Sequence, residues 1–314
     1  MDSQYNIQTK LEQIIYLLIK LYQNQSRIDT AMNLSAKILI NQIKQHGIYD
    51  NIHDAEFKVY SQFGDDGIIQ YLINNIEIPE KLHTFVEFGV ENYLESNTRF
   101  LLYNNNWTGL VIDSSKENID FILKDMICWR NELNAVCAFI TRDNINDLLL
   151  QNNFSGEIGI LSIDIDGNDY WVWEKINVIN PIITIVEYNS NFGCKKAVTI
   201  PYDPDFSRYK AHYSGIYFGC SLKALCMLAD KKGYYFVGSN SQGNNAYFVR
   251  KDKIGKIKIL SPEEGYVKAK FRESVDEKGN LTFLSFDERL KLIKDLQLID
   301  LTNQKTITVK ETVE

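Results

Sequence analysis

Four of the five short apolar runs in the middle of the chain end on acids. Glu87 lies in Phe85–Val90, Asp113 closes Thr108–Ile112, Asp164 and Asp166 close the run from Ile158, and Glu187 with Asn189 follows Ile182–Val186. Carboxylates so placed accept hydrogen bonds from ligand hydroxyls, hold a hard cation, or take up a proton. Alternation along a strand puts Asp164 and Asp166 on one side, where they could share Mg, Mn or Ca with Glu187 or Asn189. Equally, one Asp touches a ligand while the other caps a helix at Tyr170. Carboxylates this close repel each other, so an ion or a basic partner is expected beside them. Among the four histidines, His212 in Tyr209–Tyr217 is the candidate general base, with a surface or structural role as the alternative. Asp166 is the second catalytic candidate. The aromatic residues Tyr202, Tyr209, Tyr213, Tyr217 and Phe218 suit stacking on a sugar face, and equally an ordinary core.

These residues need a scaffold that brings strand ends together. From Phe57 onward, buried strands at 85–90, 108–113, 134–140, 158–166 and 182–188 alternate with helical stretches at 96–104, 116–126, 145–150 and 170–176. Near-continuous apolar strands in that order predict an α/β fold, a Rossmann-like, doubly wound and mostly parallel sheet covered on both faces. A helix over 221–232 and strands at 234–237 and 246–249, joined by Asn240-Ser241-Gln242-Gly243, predict an antiparallel terminal hairpin. Before the sheet, the first 45 residues read as one long helix without Gly or Pro, ended by His46-Gly47. Its Ile7, Leu11, Ile14, Leu18, Leu21, Ile28, Met32 and Leu39 follow a four-and-three seam interrupted by Gln25 and Ser35. That stripe packs either on its own domain or on another subunit, making a homo-oligomer. The expected layout is a helical segment at 1–46, a sheet domain at 47–252 and a C-terminal extension at 253–314, with a turn at 277–280 and a helix over 286–296.

In such a sheet ligands bind at the carboxyl ends of the strands. The first strand ends Val86-Glu87-Phe88-Gly89-Val90-Glu91, with one Gly and an acid after it. A pyrophosphate is repelled there, whereas a zwitterionic amino-acid group or a ribose is not, which favours S-adenosylmethionine over NAD. Asp113 stands where a carboxylate accepts from both ribose hydroxyls; the alternative is that it caps the following helix.

Glu87-Phe-Gly-Val-Glu-Asn-Tyr-Leu-Glu-Ser-Asn97, followed by Trp107-Thr-Gly-Leu-Val-Ile-Asp113, resembles the opening of FkbM-like and related class I methyltransferases. Ser61-Gln-Phe-Gly-Asp-Asp-Gly-Ile68 is similar to a segment that often precedes it. The likeness covers roughly residues 57 to 250, and the usual second Gly of the turn is missing. It implies that Glu87 and Gly89 line the methionine part of S-adenosyl-L-methionine, Asp113 its ribose, and Thr141-Arg142-Asp143 the neighbourhood of its adenine. Gln62, Asn97, Ser114 and Asp164 complete the implied cofactor set. Some class I O-methyltransferases carry metal-binding acids at the fourth and fifth strand ends, so Mg or Mn is a possible second cofactor. Members commonly methylate hydroxyls of sugars and natural products; the expected acceptor is a small-molecule or carrier-linked sugar, as in surface or capsular polysaccharide biosynthesis. The rival is a metal-dependent glycosyltransferase using Asp164 and Asp166 as its Asp-x-Asp on a nucleotide sugar, and a third reading is an inactive scaffold assembled through the N-terminal helix.

Bulk properties narrow the classes further. The net charge of −7 disfavours nucleic acid and anionic lipid as partners. Five scattered cysteines without a paired motif are expected to be free thiols. The polar start and short apolar runs predict no signal peptide and no membrane span, hence a cytoplasmic protein.

Overall fold

The computed structural model describes residues 2–312. The first helix, α1 (Asp2–His46), stops where expected: Gly47 adopts φ +83 and donates its N–H to the Ile43 carbonyl. Only the last third of α1 lies on the body. Ala36, Ile40 and Ile43 are buried, with Ala36 and Ile40 packed against Val59 and Phe100. The domain then runs α2 (Asp65–Asn75), β1 (Thr84–Phe88), α3 (Arg99–Asn105), β2 (Thr108–Asp113), α4 (Lys116–Lys124), α5 (Met126–Arg130) and β3 (Leu133–Cys137). It continues with α6 (Ile145–Gln151), β4 (Gly156–Ile163), α7 (Asp169–Lys175), β5 (Ile179–Glu187), the short β6 (Val198–Thr199) and α8 (Arg208–Ala211). The last elements are α9 (Leu222–Lys232), β7 (Tyr234–Ser239), β8 (Asn245–Arg250), α10 (Pro262–Gly265), α11 (Phe286–Ile293), β9 (Gln297–Asp300) and β10 (Lys305–Thr308).

Seven strands form one sheet in the order β3-β2-β1-β4-β5-β8-β7. The pairs from β3 to β5 are parallel; β8 runs antiparallel to both β5 and β7. This is the Rossmann-like, doubly wound α/β sheet that the alternation predicts, with the antiparallel hairpin at its end. Its strands bury both faces, since Phe85, Val86, Leu110, Val111, Ile160 and Leu161 are all wholly inaccessible. One apolar cluster around Trp173 and Phe248 covers one face, and another around Tyr71 and Ile182 covers the other. Strand order reverses between β1 and β4, so the connections leaving their carboxyl ends turn to opposite sides and a crevice opens between them.

Three short strands escape sequence reading and form a second sheet, β10-β9-β6. Through it the C-terminal extension is tied to the domain, β9 pairing antiparallel with β6. The expected turn at 277–280 and the helix starting at Phe286 are present. All five cysteines are free thiols, and among the described residues no helix is long and apolar enough to cross a membrane.

Candidate active site

A cavity of about 500 Å³ lies at the reversal point. Its floor is made by the ends of β1 and β4, which touch there. At Gly89, φ is +71, and a Cβ would stand 1.6 Å from the Asp164 carbonyl oxygen. Only glycine fits that position. The backbone after it is held in an uncommon conformation, with φ +47 at Glu91 and +62 at Tyr93. Two acids fix this segment. Buried Glu87 accepts hydrogen bonds from Ser96 Oγ (2.7 Å), Asn97 N (2.9 Å) and Thr98 N (3.1 Å), and from the Thr98 hydroxyl. Burial nevertheless pushes its carboxyl above the usual range. Asp113 accepts from Glu91 N (2.8 Å) through Oδ2, and from Ser115 N (2.8 Å) and Asn118 Nδ2 (3.2 Å) through Oδ1. Asp113 therefore braces the segment leading into α4, whose cap is Ser115 rather than Asp113, while still lining the cavity. Oδ2 has accepting capacity left.

On the opposite side stand Asp164, Asp166 and Glu187, each offering a carboxylate oxygen within 4.8 Å of the others. They do not reach one place by strand alternation, because β4 ends at Ile163 and Asp166 sits in a turn at φ +56. Asp169 holds that turn, accepting from Ile165 N (2.8 Å) and Gly167 N (2.9 Å). Burial, then repulsion from Asp166 and Asp169, drives Asp164 well above the usual carboxylate range. Burial and the same neighbours, with Asp164 foremost, do so for Glu187. One Glu187 oxygen is buried without a protein hydrogen-bond partner.

The partner those acids require is Arg208, at the start of α8. It pairs with Asp166 Oδ1, donates from Nε to the Gly215 carbonyl (2.7 Å), and lies 4.4 Å from the Phe218 ring centre. Burial opposes its charge, but Asp166 and Glu187 outweigh that and hold the guanidinium above its ordinary value. The Asp164–Asp166 repulsion calls for a basic partner, but the same loop also offers Lys210 and His212, so the sequence does not single out Arg208.

The cavity thus gathers Gln62, Glu87, Gly89, Asn97, Asp113, Ser114, Asp164, Asp166 and Glu187 from the sequence-predicted set. Three predicted residues do not line it. Thr141 is engaged with Asn144, receiving Asn144 N on Oγ1 and donating its own N–H to Asn144 Oδ1, so the wall at that place is Ala138, Phe139 and Ile140. Asn189 is occupied by backbone, donating Nδ2 to Ile216 O and Phe218 O while Oδ1 receives Asn191 N. Nor does His212: its Nδ1 is bonded to Ser214 Oγ (2.7 Å), its ring lies against Tyr213, and burial lowers its basicity. The loop that was expected to supply a base supplies Arg208 and Tyr209 instead. Of the predicted aromatic residues only Tyr209 and Phe218 line the cavity; Tyr217 belongs to a core cluster, and Tyr202 bonds Asp143 (3.0 Å) outside it. Sequence reading missed Phe63 and Phe206 in loops, and Phe271 and Glu273, which the C-terminal extension contributes without a local signal.

Eight acids line the cavity (Glu87, Glu91, Glu95, Asp113, Asp164, Asp166, Glu187 and Glu273) against one base, Arg208. Even with Glu87, Asp164 and Glu187 pushed toward their neutral forms, the acids outnumber the base, so the site repels phosphates and suits a cation rich in hydroxyl and ammonium donors.

No family model matches the chain, and no curated protein matches it. Among solved structures, the N-terminal domain of EvdMO1 with SAH bound is 10% identical, with a TM-score of 0.34, covering 53% of this chain and 72% of that one. The O-methyltransferase from Bacillus cereus in complex with SAH is 12% identical (TM-score 0.32; 54% and 74% covered). The [4+2]-cyclase SpnF is 10% identical (TM-score 0.36; 64% and 69% covered).

Proposed function

We propose that this chain is an S-adenosylmethionine-dependent methyltransferase whose acceptor is a sugar hydroxyl. The observation that carries the reading is the cavity at the β1–β4 reversal, lined by eight acids and a single arginine already paired. S-Adenosylmethionine brings a sulfonium, an ammonium and a ribose diol, each of which gains from neighbouring carboxylates. In this reading Glu87 and Gly89 shape the loop around the methionine part and Asp113 receives the ribose. Ser114 and Gln62 lie alongside, and the Ala138–Ile140 wall takes the adenine in place of Thr141. The diphosphate of a nucleotide sugar meets the opposite field, which disfavours the glycosyltransferase.

The acceptor side combines aromatic faces with amides. Phe63 stacks on Phe271 with ring centres 6.0 Å apart, Phe206, Tyr209 and Phe218 stand near, and Asn168, Asn244 and Asn245 add hydrogen-bonding groups. Rings plus amides are what a sugar face with its hydroxyls binds. Positioning the hydroxyl in line with the sulfonium supplies much of the rate. Asp166, held by Arg208 through one oxygen, has the other to accept the hydroxyl proton.

The Asp164, Asp166 and Glu187 donor set favours a second reading of the same chemistry, with a divalent cation assisting. Hard oxygen donors within 4.8 Å and a partnerless Glu187 oxygen fit Mg or Mn. Such an ion, when bound, polarises the acceptor oxygen. Asn189 is spent on backbone and would not join it.

The test is a thermal melt with S-adenosylhomocysteine and, separately, with nucleotide sugars plus Mn. A ligand at about 100 times its dissociation constant stabilises by about 2.7 kcal/mol. A shift with S-adenosylhomocysteine alone supports the reading, and a shift only with nucleotide sugar and Mn overturns it. Loss of methyl transfer in EDTA, restored by Mn, marks the metal-assisted form.

A further inference from the structure

Every described residue of α1 from Ile7 through Ile28 is exposed. Its own domain covers the helix only from Met32 onward. At 1.5 Å per residue the uncovered part is a rod of about 30–40 Å. Helices in proteins draw most of their stability from packing an apolar face, and this one leaves Ile7 64%, Leu11 56%, Leu18 58% and Leu21 64% accessible. A surface of this kind is completed by a partner.

We infer that the partner is other copies of this chain, more than two in one bundle. The spacing assigns Leu11, Leu18, Gln25 and Met32 to one seam position of the heptad and Ile7, Ile14, Leu21 and Ile28 to the other. In the convention that fits the four-then-three steps, Leu11 and Leu18 occupy a, with Gln25 and Met32 following, and Ile7, Ile14 and Ile28 occupy d, with Leu21 among them; leucine at a with isoleucine at d favours three or four strands over two. Ile15 and Leu17 flank the seam and are themselves 48% and 58% accessible. A two-stranded coil would leave them in water, whereas a wider bundle encloses them. The seam is self-complementary, so a closed ring of identical helices needs no foreign sequence. The flanks carry few charges, as an apolar bundle requires: between Ile7 and Ile28 there are only Lys10, Glu12, Lys20 and Arg27. The inference is independent of the methyltransferase reading.

The experiment is sedimentation of the full chain over a concentration series. The expected mass is three or four times the 36.4 kDa of one chain. The double substitution Leu11→Asp, Leu18→Asp is expected to reduce it to a single chain with an unchanged thermal midpoint of the domain. Gln13→Asp with Lys20→Asp, on the outer face, is expected to leave the assembly intact. A monomeric or dimeric wild type overturns the inference, as does an oligomer that survives the seam substitutions. A monomer that co-sediments with phosphatidylcholine or phosphatidylglycerol vesicles assigns the stripe to lipid and overturns it too.

Discussion

Gly89 and Asp164 touch across the reversal of strand order: a side-chain carbon on the first would overlap the carbonyl oxygen of the second. The contact sets how closely β1 and β4 approach, and so fixes the floor of the cavity. Gly89→Ala combines a left-handed backbone with an overlap against main chain that cannot rotate away. The expected loss is at least about 3 kcal/mol, read as a lower urea midpoint at unchanged slope. A midpoint within error of wild type would show that the two strand ends separate freely.

Asp113 does two jobs in this site, and substitution separates them. Asp113→Ala removes the acceptor for Glu91 N, Ser115 N and Asn118 Nδ2 as well as the proposed ribose contact. Affinity for S-adenosylhomocysteine is expected to fall about tenfold to a hundredfold, the scale of hydrogen bonds to a charged group. Calorimetric titration reads it. Unchanged affinity leaves Asp113 with the brace on α4 alone.

The sheet was legible because period and composition speak locally. Phe85–Phe88, Thr108–Asp113 and Ile158–Ile163 are apolar runs that only a doubly covered strand accommodates, and Gly89 and Asp113 mark their ends. Glu87, Asp113, Asp164, Asp166 and Glu187 were legible for the same reason, since each lies at the end of such a run. What failed depended on distant chain. Whether Asn189 has a free side chain is decided by Ile216 and Phe218, and no spacing rule states that, whereas Thr141 is taken locally by Asn144, three residues on. Arg208 and Phe271 reach the cavity through loop paths, and the pairing of β9 with β6 spans about a third of the chain. The exposure of Ile7–Ile28 was equally unreadable, because one stripe serves a domain or a partner with the same residues.

His212 and Asp166 lie in neighbouring parts of the structure but only Asp166 lines the cavity. Asp166→Asn keeps the size of the side chain and removes the proton acceptor. Turnover is expected to fall about a hundredfold, the lower end of general-base catalysis, with cofactor affinity kept within a few-fold. His212→Ala is expected to leave turnover within a few-fold of wild type, because its ring is bonded to Ser214 and packed on Tyr213. Steady-state rates on an accepted sugar decide both. A full loss in His212→Ala with Asp166→Asn active would return the base to His212.

Asp66 gives the fold a pH dependence of definite sign. Its Oδ2 accepts from Val59 N (2.7 Å), Tyr60 N (2.8 Å), Ser61 N (2.8 Å) and Ser61 Oγ (2.8 Å), tying the segment that leads to Gln62 onto α2. Burial outweighs those bonds and raises the carboxyl from 3.8 to about 6. The folded state therefore holds this proton more tightly than the unfolded chain does. Below pH 3.8 both states are protonated and the group is neutral in its effect. Between pH 3.8 and about 6 the unfolded chain ionises first, so stability falls as pH rises, by about 3 kcal/mol in total, and is level above. Asp66→Asn cannot ionise, and its urea-unfolding free energy is expected to lack this component between pH 4 and 7, whatever its absolute stability. Parallel curves for wild type and Asp66→Asn across that window would show that Asp66 is ionised in the folded protein throughout.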